Sequence, residues 1–209
     1  MSTQDSILFD LDGTLWDITS TVMVARNNTI KTLSLNTPLV TEADISATMG
    51  FPLDEVYRRA FPTHNASQLK DIQIEMEAEI GRLLETIGAK IYPGVREGLK
   101  KLSEKKKLYI VSNCGTDYLE YFLDWSKFRV FFKDYECFGT TRLPKSENIK
   151  SVVARNQLMG PIYVGDTKGD HEAALAAGVP YIHVNYGFGE PLSACRRVSS
   201  FPELVDLFI

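Results

Sequence analysis

The 209-residue chain has no long basic run, no apolar stretch of membrane-spanning length, few cysteines and few histidines. Each scarcity excludes something. The formal net charge is −4, and Lys105-Lys106-Lys107 reads as the solvated end of a helix, so nothing asks for a nucleic-acid partner. Without a long apolar run, or a basic segment followed by an apolar one at the start, neither a bilayer span nor a leader is expected. The three cysteines, Cys114, Cys137 and Cys195, are isolated, odd in number and not at metal-ligand spacing. Such usage suits a reducing compartment, and a cytoplasmic location is expected. His64, His171 and His183 are scattered, and Asp170-His171 is no ligand pair, because adjacent helix residues diverge by about 100°. Trp16 and Trp125, the two tryptophans, read as packing groups. No internal repeat or low-complexity segment is present.

What is there begins at residue 6. Ser6-Ile7-Leu8-Phe9-Asp10-Leu11-Asp12-Gly13-Thr14-Leu15 runs from strand-forming, mostly apolar residues into two aspartates one residue apart. Such a run reads as a buried parallel strand, and ligand chemistry in such sheets lies beyond the strands' carboxyl ends. Two carboxylates there are costly to desolvate unless a hard divalent cation neutralises them. Gly13 supplies the backbone freedom for both acids to reach one site. The reading is a nucleophile, Asp10, with Asp12 beside it as general acid and base. A calcium loop fails, because Thr14, Leu15 and Thr21 stand where it needs an acid or amide, a glycine and a glutamate. A solvated turn with two incidental aspartates stays open from this stretch alone.

From Asp17 the pattern turns helical. Ile18, Val22, Ala25, Thr29 and Leu33 recur at three- and four-residue spacing up to Thr37-Pro38. Thr41-Glu42-Ala43-Asp44 resembles a capping box and predicts a short helix ended by Gly50. Leu53, Val56, Tyr57 and Ala60 make another face, stopped by Pro62. The longest amphipathic run places Leu69, Ile72, Met76, Ile80, Leu83 and Ile87 on one stripe, with Gly88 as C-cap. Residues 17–89 therefore read as an all-helical unit without a strand, inserted into an α/β domain made of 1–16 and 90–209. Beyond Tyr92-Pro93-Gly94, strands over 107–112, 131–138, 161–166 and 179–184 alternate with helices. A last helix starts at Ser200 with Leu204 and Leu207 inward, and Asn185 to Arg197 reads as loop. Alternation of this kind implies right-handed crossovers and a parallel sheet covered on both faces.

Three more polar groups fall at or beyond strand ends. Ser112 and Asn113 follow a buried strand, where a hydroxyl and free N–H groups at a helix entrance suit phosphate oxygens, although ordinary turn chemistry explains them too. Lys145, after Pro144, can hold a carboxylate and a phosphoryl group together, or be a solvated loop lysine. Asp166 ends Pro161-Ile162-Tyr163-Val164-Gly165, and Asp170 lies four residues on, able to face the same pocket from a first helical turn. Asp166 looks like a metal ligand; Asp170 is also explained by the helix dipole. Together these parts fit phosphoryl transfer, which needs a nucleophile, a shielding cation, donors for the equatorial oxygens and an acid for the leaving group.

In these residues the sequence resembles the haloacid dehalogenase-like hydrolase superfamily. Asp10-Leu11-Asp12-Gly13-Thr14 matches its first motif, Ser112 the second, Lys145 the third, and Gly165-Asp166-Thr167-Lys168-Gly169-Asp170 the fourth. The helical segment, Tyr92-Pro93-Gly94-Val95 and the stretch from Glu172 to Val179 look similar to its phosphoglycolate phosphatase-like branch. The resemblance implies a Rossmann-like three-layer α/β/α core with an inserted helical cap, and an Mg²⁺-dependent phosphatase. Asp10 would form an aspartyl-phosphate, and Asp12 would protonate the leaving oxygen and then activate water. Thr14, Ser112, Asn113 and Lys145 would bind substrate. Asp10, Asp166 and the backbone carbonyl of Asp12 would ligate Mg²⁺, with Asp170 nearby or acting through water. The loop holding Trp16 and Asp17 would be the joint of the cap.

A phosphomutase of the β-phosphoglucomutase kind shares all four motifs and is the alternative, followed by a phosphate-binding or signalling module without turnover. A dehalogenase needs neither Asp12 nor Asp166. A receiver domain places its acceptor on a later strand than its acidic pair. The partner expected is a small phosphorylated metabolite, with phosphoglycolate slightly ahead of sugar phosphates, nucleoside monophosphates and pyrophosphate. Met49-Gly50-Phe51-Pro52, Arg58 and Arg59 are candidates for selecting it, with packing and a solvated helix face as their plainer explanations. Monomer and homodimer stay open.

Overall fold

The computed structural model describes residues 4–190, 192 and 195–209. β1 (Ser6–Phe9) enters the core with Ile7, Leu8 and Phe9 fully buried, each worth about 1.5–3 kcal/mol over an exposed position. β2 (Trp16–Asp17) leads to four helices, α1 (Thr19–Thr32), α2 (Glu42–Ser46), α3 (Leu53–Ala60) and α4 (Ala66–Thr86). β3 (Lys90–Ile91) returns antiparallel beside β2, pairing Trp16 with Ile91 and Asp17 with Lys90. The chain continues as α5 (Val95–Ser103), β4 (Lys107–Ser112), α6 (Thr116–Ser126), β5 (Phe132–Cys137), α7 (Phe138–Thr141) and α8 (Lys145–Arg155). It ends with β6 (Pro161–Gly165), α9 (Lys168–Ala176), β7 (Tyr181–Val184), β8 (Arg196–Val198) and α10 (Phe201–Asp206).

Among the described residues, six strands form one parallel sheet in the order β5-β4-β1-β6-β7-β8. β1 is central, with Phe9 opposite Ile110 of β4 on one side and Val164 of β6 on the other. The chain builds β4 and β5 on one flank of β1 and then crosses to β6. That reversal opens a cleft outside the carboxyl ends of β1, β4 and β6, where this architecture takes ligands. Side chains alternate along β1. Ile7 and Phe9 join Leu99, Phe122 and Phe201 of α5, α6 and α10 on one face. Leu8 joins Ile149, Val152 and Ala174 of α8 and α9 on the other. The α/β/α layering is therefore as expected. Val22, Ile45, Ile72 and Ile80 of the helical unit extend the first cluster.

Several boundaries differ from the sequence reading. The segment from residue 17 is not free of strand, since Asp17 pairs in β2; two residues are too few for a periodicity to show. The Thr41 capping box forms, but α2 stops at Ser46 and turns carry the chain to Gly50, at φ +85°. On α4 the buried positions are Ile72, Met76, Ile80 and Leu84, while Leu83 is partly covered and Ile87 exposed. A four-residue series drifts by about 40° per step, so the buried face rotates along the helix and leaves some of the predicted positions outside it. Leu33 is exposed and Leu207 only partly covered, each just past the end of its helix. β5 gives way to α7 at Phe138, and the last β–α crossover delivers β7 at Tyr181 rather than Val179. Asn185 to Arg197 is not all loop. Arg196 and Arg197 belong to β8, an edge strand whose exposed charges conceal it from a hydrophobicity pattern.

Candidate active site

The backbone turns sharply where β1 ends. Asp10 still bonds through its N–H to the Val164 carbonyl at 2.8 Å, after which Leu15 N–H closes a turn onto the Leu11 carbonyl at 2.9 Å. Gly13 makes that turn possible. Its φ is +82°, and a β-carbon there would stand 2.2 Å from an Asp166 carboxylate oxygen. No other residue tolerates both conditions. Asp10 and Asp12 thus leave the strand in different directions.

Asp10 points into a buried cluster. Lys145 Nζ donates to Asp10 Oδ1 at 2.8 Å and to Asp170 Oδ1 at 2.6 Å, with all three side chains almost wholly buried. Lys145 is the first residue of α8, where the helix dipole disfavours a cation; the two carboxylates reverse that balance. Burial works against its ammonium, yet Asp10 and Asp170 outweigh it and hold the pKa above its ordinary value. Asp170 serves a second purpose. Its Oδ2 accepts from Thr167 N–H at 3.0 Å and Oγ1 at 2.7 Å, completing the capping box of α9. Asp166, just beyond β6, has no exposure and accepts from Phe188 N–H at 2.7 Å, Gly189 N–H at 3.3 Å and Thr14 Oγ1 at 3.4 Å.

Oxygen atoms of Asp10, Asp166 and Asp170 lie within 4.8 Å of one another. Burial first, and the Asp170 charge second, push Asp10 well above the ordinary carboxylate range and Asp166 up to about 7. Three carboxylates share one ammonium, so the ionised cluster carries two uncompensated negative charges. Hard oxygen donors with that deficit fit a divalent cation such as Mg²⁺, and the cluster can hold one.

Asp12 faces elsewhere. Its Oδ1 accepts from Tyr118 Oη at 2.6 Å and Trp16 Nε1 at 2.8 Å. Desolvation raises its pKa to about 6, and the two donors restrain the rise. A carboxyl titrating there can give and retrieve a proton near neutrality. Trp16 is fully buried, in contact with Phe122, Tyr118 and Trp125 at centroid distances of 4.9, 5.6 and 6.0 Å.

Asp10, Asp12, Ser112, Asn113 and Lys145 all line one cavity of about 90 Å³, well beyond the ~10–15 Å³ that one water needs. Ser112 Oγ accepts the Cys114 N–H at 3.3 Å. Asn113 Nδ2 donates to the Gly50 carbonyl at 2.8 Å, fastening the turn after α2 to the sheet, while its Oδ1 is buried without a partner. Thr14 is drawn to Asp166 instead and does not line the cavity. Met49, Gly50 and Phe51 do line it; Arg58 and Arg59 are exposed and pair with Asp54 and Glu55 one helical turn back. Residues that the sequence did not single out complete the walls, among them Arg26, Phe61, Glu77 and Tyr118. Gly187-Phe188-Gly189, beyond β7, was the available signal for the Asp166 donors. At Gly189 a β-carbon would meet the Asp166 carbonyl at 2.0 Å.

A family model described as haloacid dehalogenase-like hydrolase matches residues 7–184. A phosphoglycolate phosphatase of Pseudomonas savastanoi pv. phaseolicola is 28% identical over 201 residues, covering 90% of this chain and 72% of that protein. One from Vibrio parahaemolyticus is 28% identical over 222 residues, covering 96% of this chain and 94% of its own. The crystal structure of a predicted phosphoglycolate phosphatase from Haemophilus somnus 129pt superposes with a TM-score of 0.87, covering 100% of both chains at 22% identity.

Proposed function

Because this chain belongs to the haloacid dehalogenase-like hydrolases and is a phosphatase of the phosphoglycolate phosphatase-like kind, we propose that it hydrolyses a small phosphomonoester with Mg²⁺, through an aspartyl-phosphate at Asp10. Phosphoglycolate is the leading substrate. The observation that carries this reading is the division of labour between two aspartates in one cavity. Asp10 is held by Lys145, and Asp12 is held apart by Tyr118 and Trp16 with a pKa of about 6.

Lys145 occupies Asp10 Oδ1, which leaves Oδ2 as the attacking atom. A bond forms from Oδ2 to phosphorus while the bond from phosphorus to the substrate's alcohol oxygen breaks. Asp12, entering as the carboxylic acid, gives its proton to that oxygen. As a carboxylate it then takes a proton from water, whose oxygen attacks the same phosphorus, so that phosphate leaves and Asp10 is restored. Ser112, Asn113 and Lys145 bind the phosphoryl oxygens, and Thr14 acts with them by steadying Asp166. The side chains of Asp10, Asp166 and Asp170 and the carbonyl of Asp12 would hold Mg²⁺, which when bound shields the negative charge between nucleophile and phosphoryl group. Residues 17–89 serve as a cap over a core formed by 1–16 and 90–209. The three free cysteines suit a cytoplasmic setting.

Phosphate release from phosphoglycolate, sugar phosphates, nucleoside monophosphates and pyrophosphate, each with Mg²⁺ and with excess chelator, tests the proposal. Phosphoglycolate well ahead, with activity lost in chelator and restored by Mg²⁺, is the expected result. Release from none of them by the folded protein, or turnover indifferent to chelator, overturns it.

A further inference from the structure

The cavity over Asp10 is lined by a second cation besides Lys145. Arg26, on α1, is 7% exposed and its Nε is buried without a hydrogen-bond partner. No ion pair among the described residues includes it, and its guanidinium carbon lies 5.2 Å from the centre of the Phe61 ring. It shares the cavity with Asp10, Asp12 and Lys145. Two nearby carboxylates are committed elsewhere: Asp44 to the Thr41 capping box, and Glu77 to Gln73 Nε2 at 2.8 Å. Lys145 is already balanced by Asp10 and Asp170. An always-charged guanidinium that a fold desolvates normally finds an anion, because the unpaired state is costly. Apolar side chains, Val22, Ile45, Met76 and Ile80, share the cavity lining with it. Tyr57 lines the same wall.

We propose that Arg26 is the receptor for a second anionic group on the substrate, a carboxylate or phosphate carried by the leaving alcohol. The inference rests on the phosphatase reading for the position of the transferred phosphoryl group at Asp10, and it narrows the substrate class to phosphomonoesters with a further negative charge. A planar guanidinium presents two parallel N–H donors to such a group. Simple uncharged alkyl phosphates lack what Arg26 offers and leave it desolvated and unpaired.

The test compares esters that differ only in the remote group: 2-phosphoglycolate, ethylene glycol bisphosphate and 2-hydroxyethyl phosphate. Wild-type protein is expected to favour one or both of the first two over the third by about 10- to 100-fold in kcat/KM, the range of a charged hydrogen bond. Preference for the carboxylate or for the second phosphate names the source of the anion. Arg26→Gln is expected to erase most of that ratio, mainly through KM, and Arg26→Lys to keep part of it. A wild-type ratio near one, or a ratio that survives Arg26→Gln, overturns the proposal; the wild-type and Lys results decide the matter if the Gln variant does not fold. Calorimetry of phosphoglycolate binding separates the two levels. Tighter binding to wild type than to Arg26→Gln without any turnover leaves the anion site standing while the phosphatase reading falls. Equal binding removes the anion site.

Discussion

Two donors on one carboxylate oxygen set the chemistry available to Asp12. Hydrogen bonds from Tyr118 and Trp16 favour its charged form and hold the pKa to about 6 against desolvation. Tyr118→Phe keeps the ring against Trp16 and deletes one donor, so the Asp12 pKa rises. The limb of the kcat–pH profile that follows this acid then moves to higher pH at saturating Mg²⁺; a limb that moves down or stays put assigns it to another group. Asp12→Ala lowers kcat by about 10²–10⁴-fold. Asp10→Asn removes the nucleophile and lowers turnover by about 10⁴-fold or more, with an unchanged circular dichroism spectrum. Asp10, Asp12, Ser112 and Asp166 were legible as candidates in the sequence because each stands at or just beyond the end of an apolar strand run, whereas Lys145 and Asp170, at helix starts, had plainer explanations of their own and were carried by the family resemblance. Tyr118 and Arg26 were not, because they reach the site from within helices, where an aromatic or an arginine looks like any other member of the repeat.

At the scale of elements, α9 is bound to the site through its cap. Thr167 accepts the Asp170 N–H at 3.1 Å, and Asp170 in turn accepts from Thr167 while its other oxygen holds Lys145. Thr167→Ala is expected to cost about 1 kcal/mol in urea unfolding, and to weaken Mg²⁺ retention as well, since Asp170 loses one of the three donors that orient it. Gly13→Ala meets both a positive φ and the Asp166 carboxylate. It destabilises the fold by more than the ~0.5–1 kcal/mol usual for glycine effects; a denaturation midpoint equal to wild type would show that the turn relaxes freely. Long helices and buried central strands were readable, because their periodicity is sustained. β2, β3 and β8 were not, since strands of two or three residues, half of them polar, owe their existence to a neighbour rather than to their own pattern.

For the whole molecule, the carboxylate cluster predicts how stability depends on pH. Asp10, Asp12 and Asp166 have pKa values raised above those of the unfolded chain, to about 6 for Asp12 and about 7 for Asp166. Between pH ~4 and ~7 these three groups therefore bind more protons in the native state than in the unfolded one, and their contribution to the stability of the metal-free protein falls as pH rises through that window. Asp134 and Glu79, whose pKa values are lowered, act below it, where their contribution is lost on acidification. Melting in chelator should give a Tm that falls from pH 4.5 to 7.5, with Mg²⁺ raising it most at the upper end. A Tm flat across that range would show that the cluster is already compensated. The overall plan, a parallel sheet interrupted after its first strand by helices, was legible because one all-helical stretch stands out within an alternating chain. How the two parts meet was not, because it depends on contacts such as Asn113 to Gly50, between residues far apart in sequence.

The aromatic cluster at that meeting place has an optical consequence. Both tryptophans of the chain, Trp16 and Trp125, lie in it with ring centres 6.0 Å apart, and Trp16 is bonded to the catalytic acid proposed here. All indole emission of the folded protein therefore originates at the junction of sheet and helices. A fluorescence trace needs no label to follow Asp12 as it gains a proton, or the site as a ligand arrives.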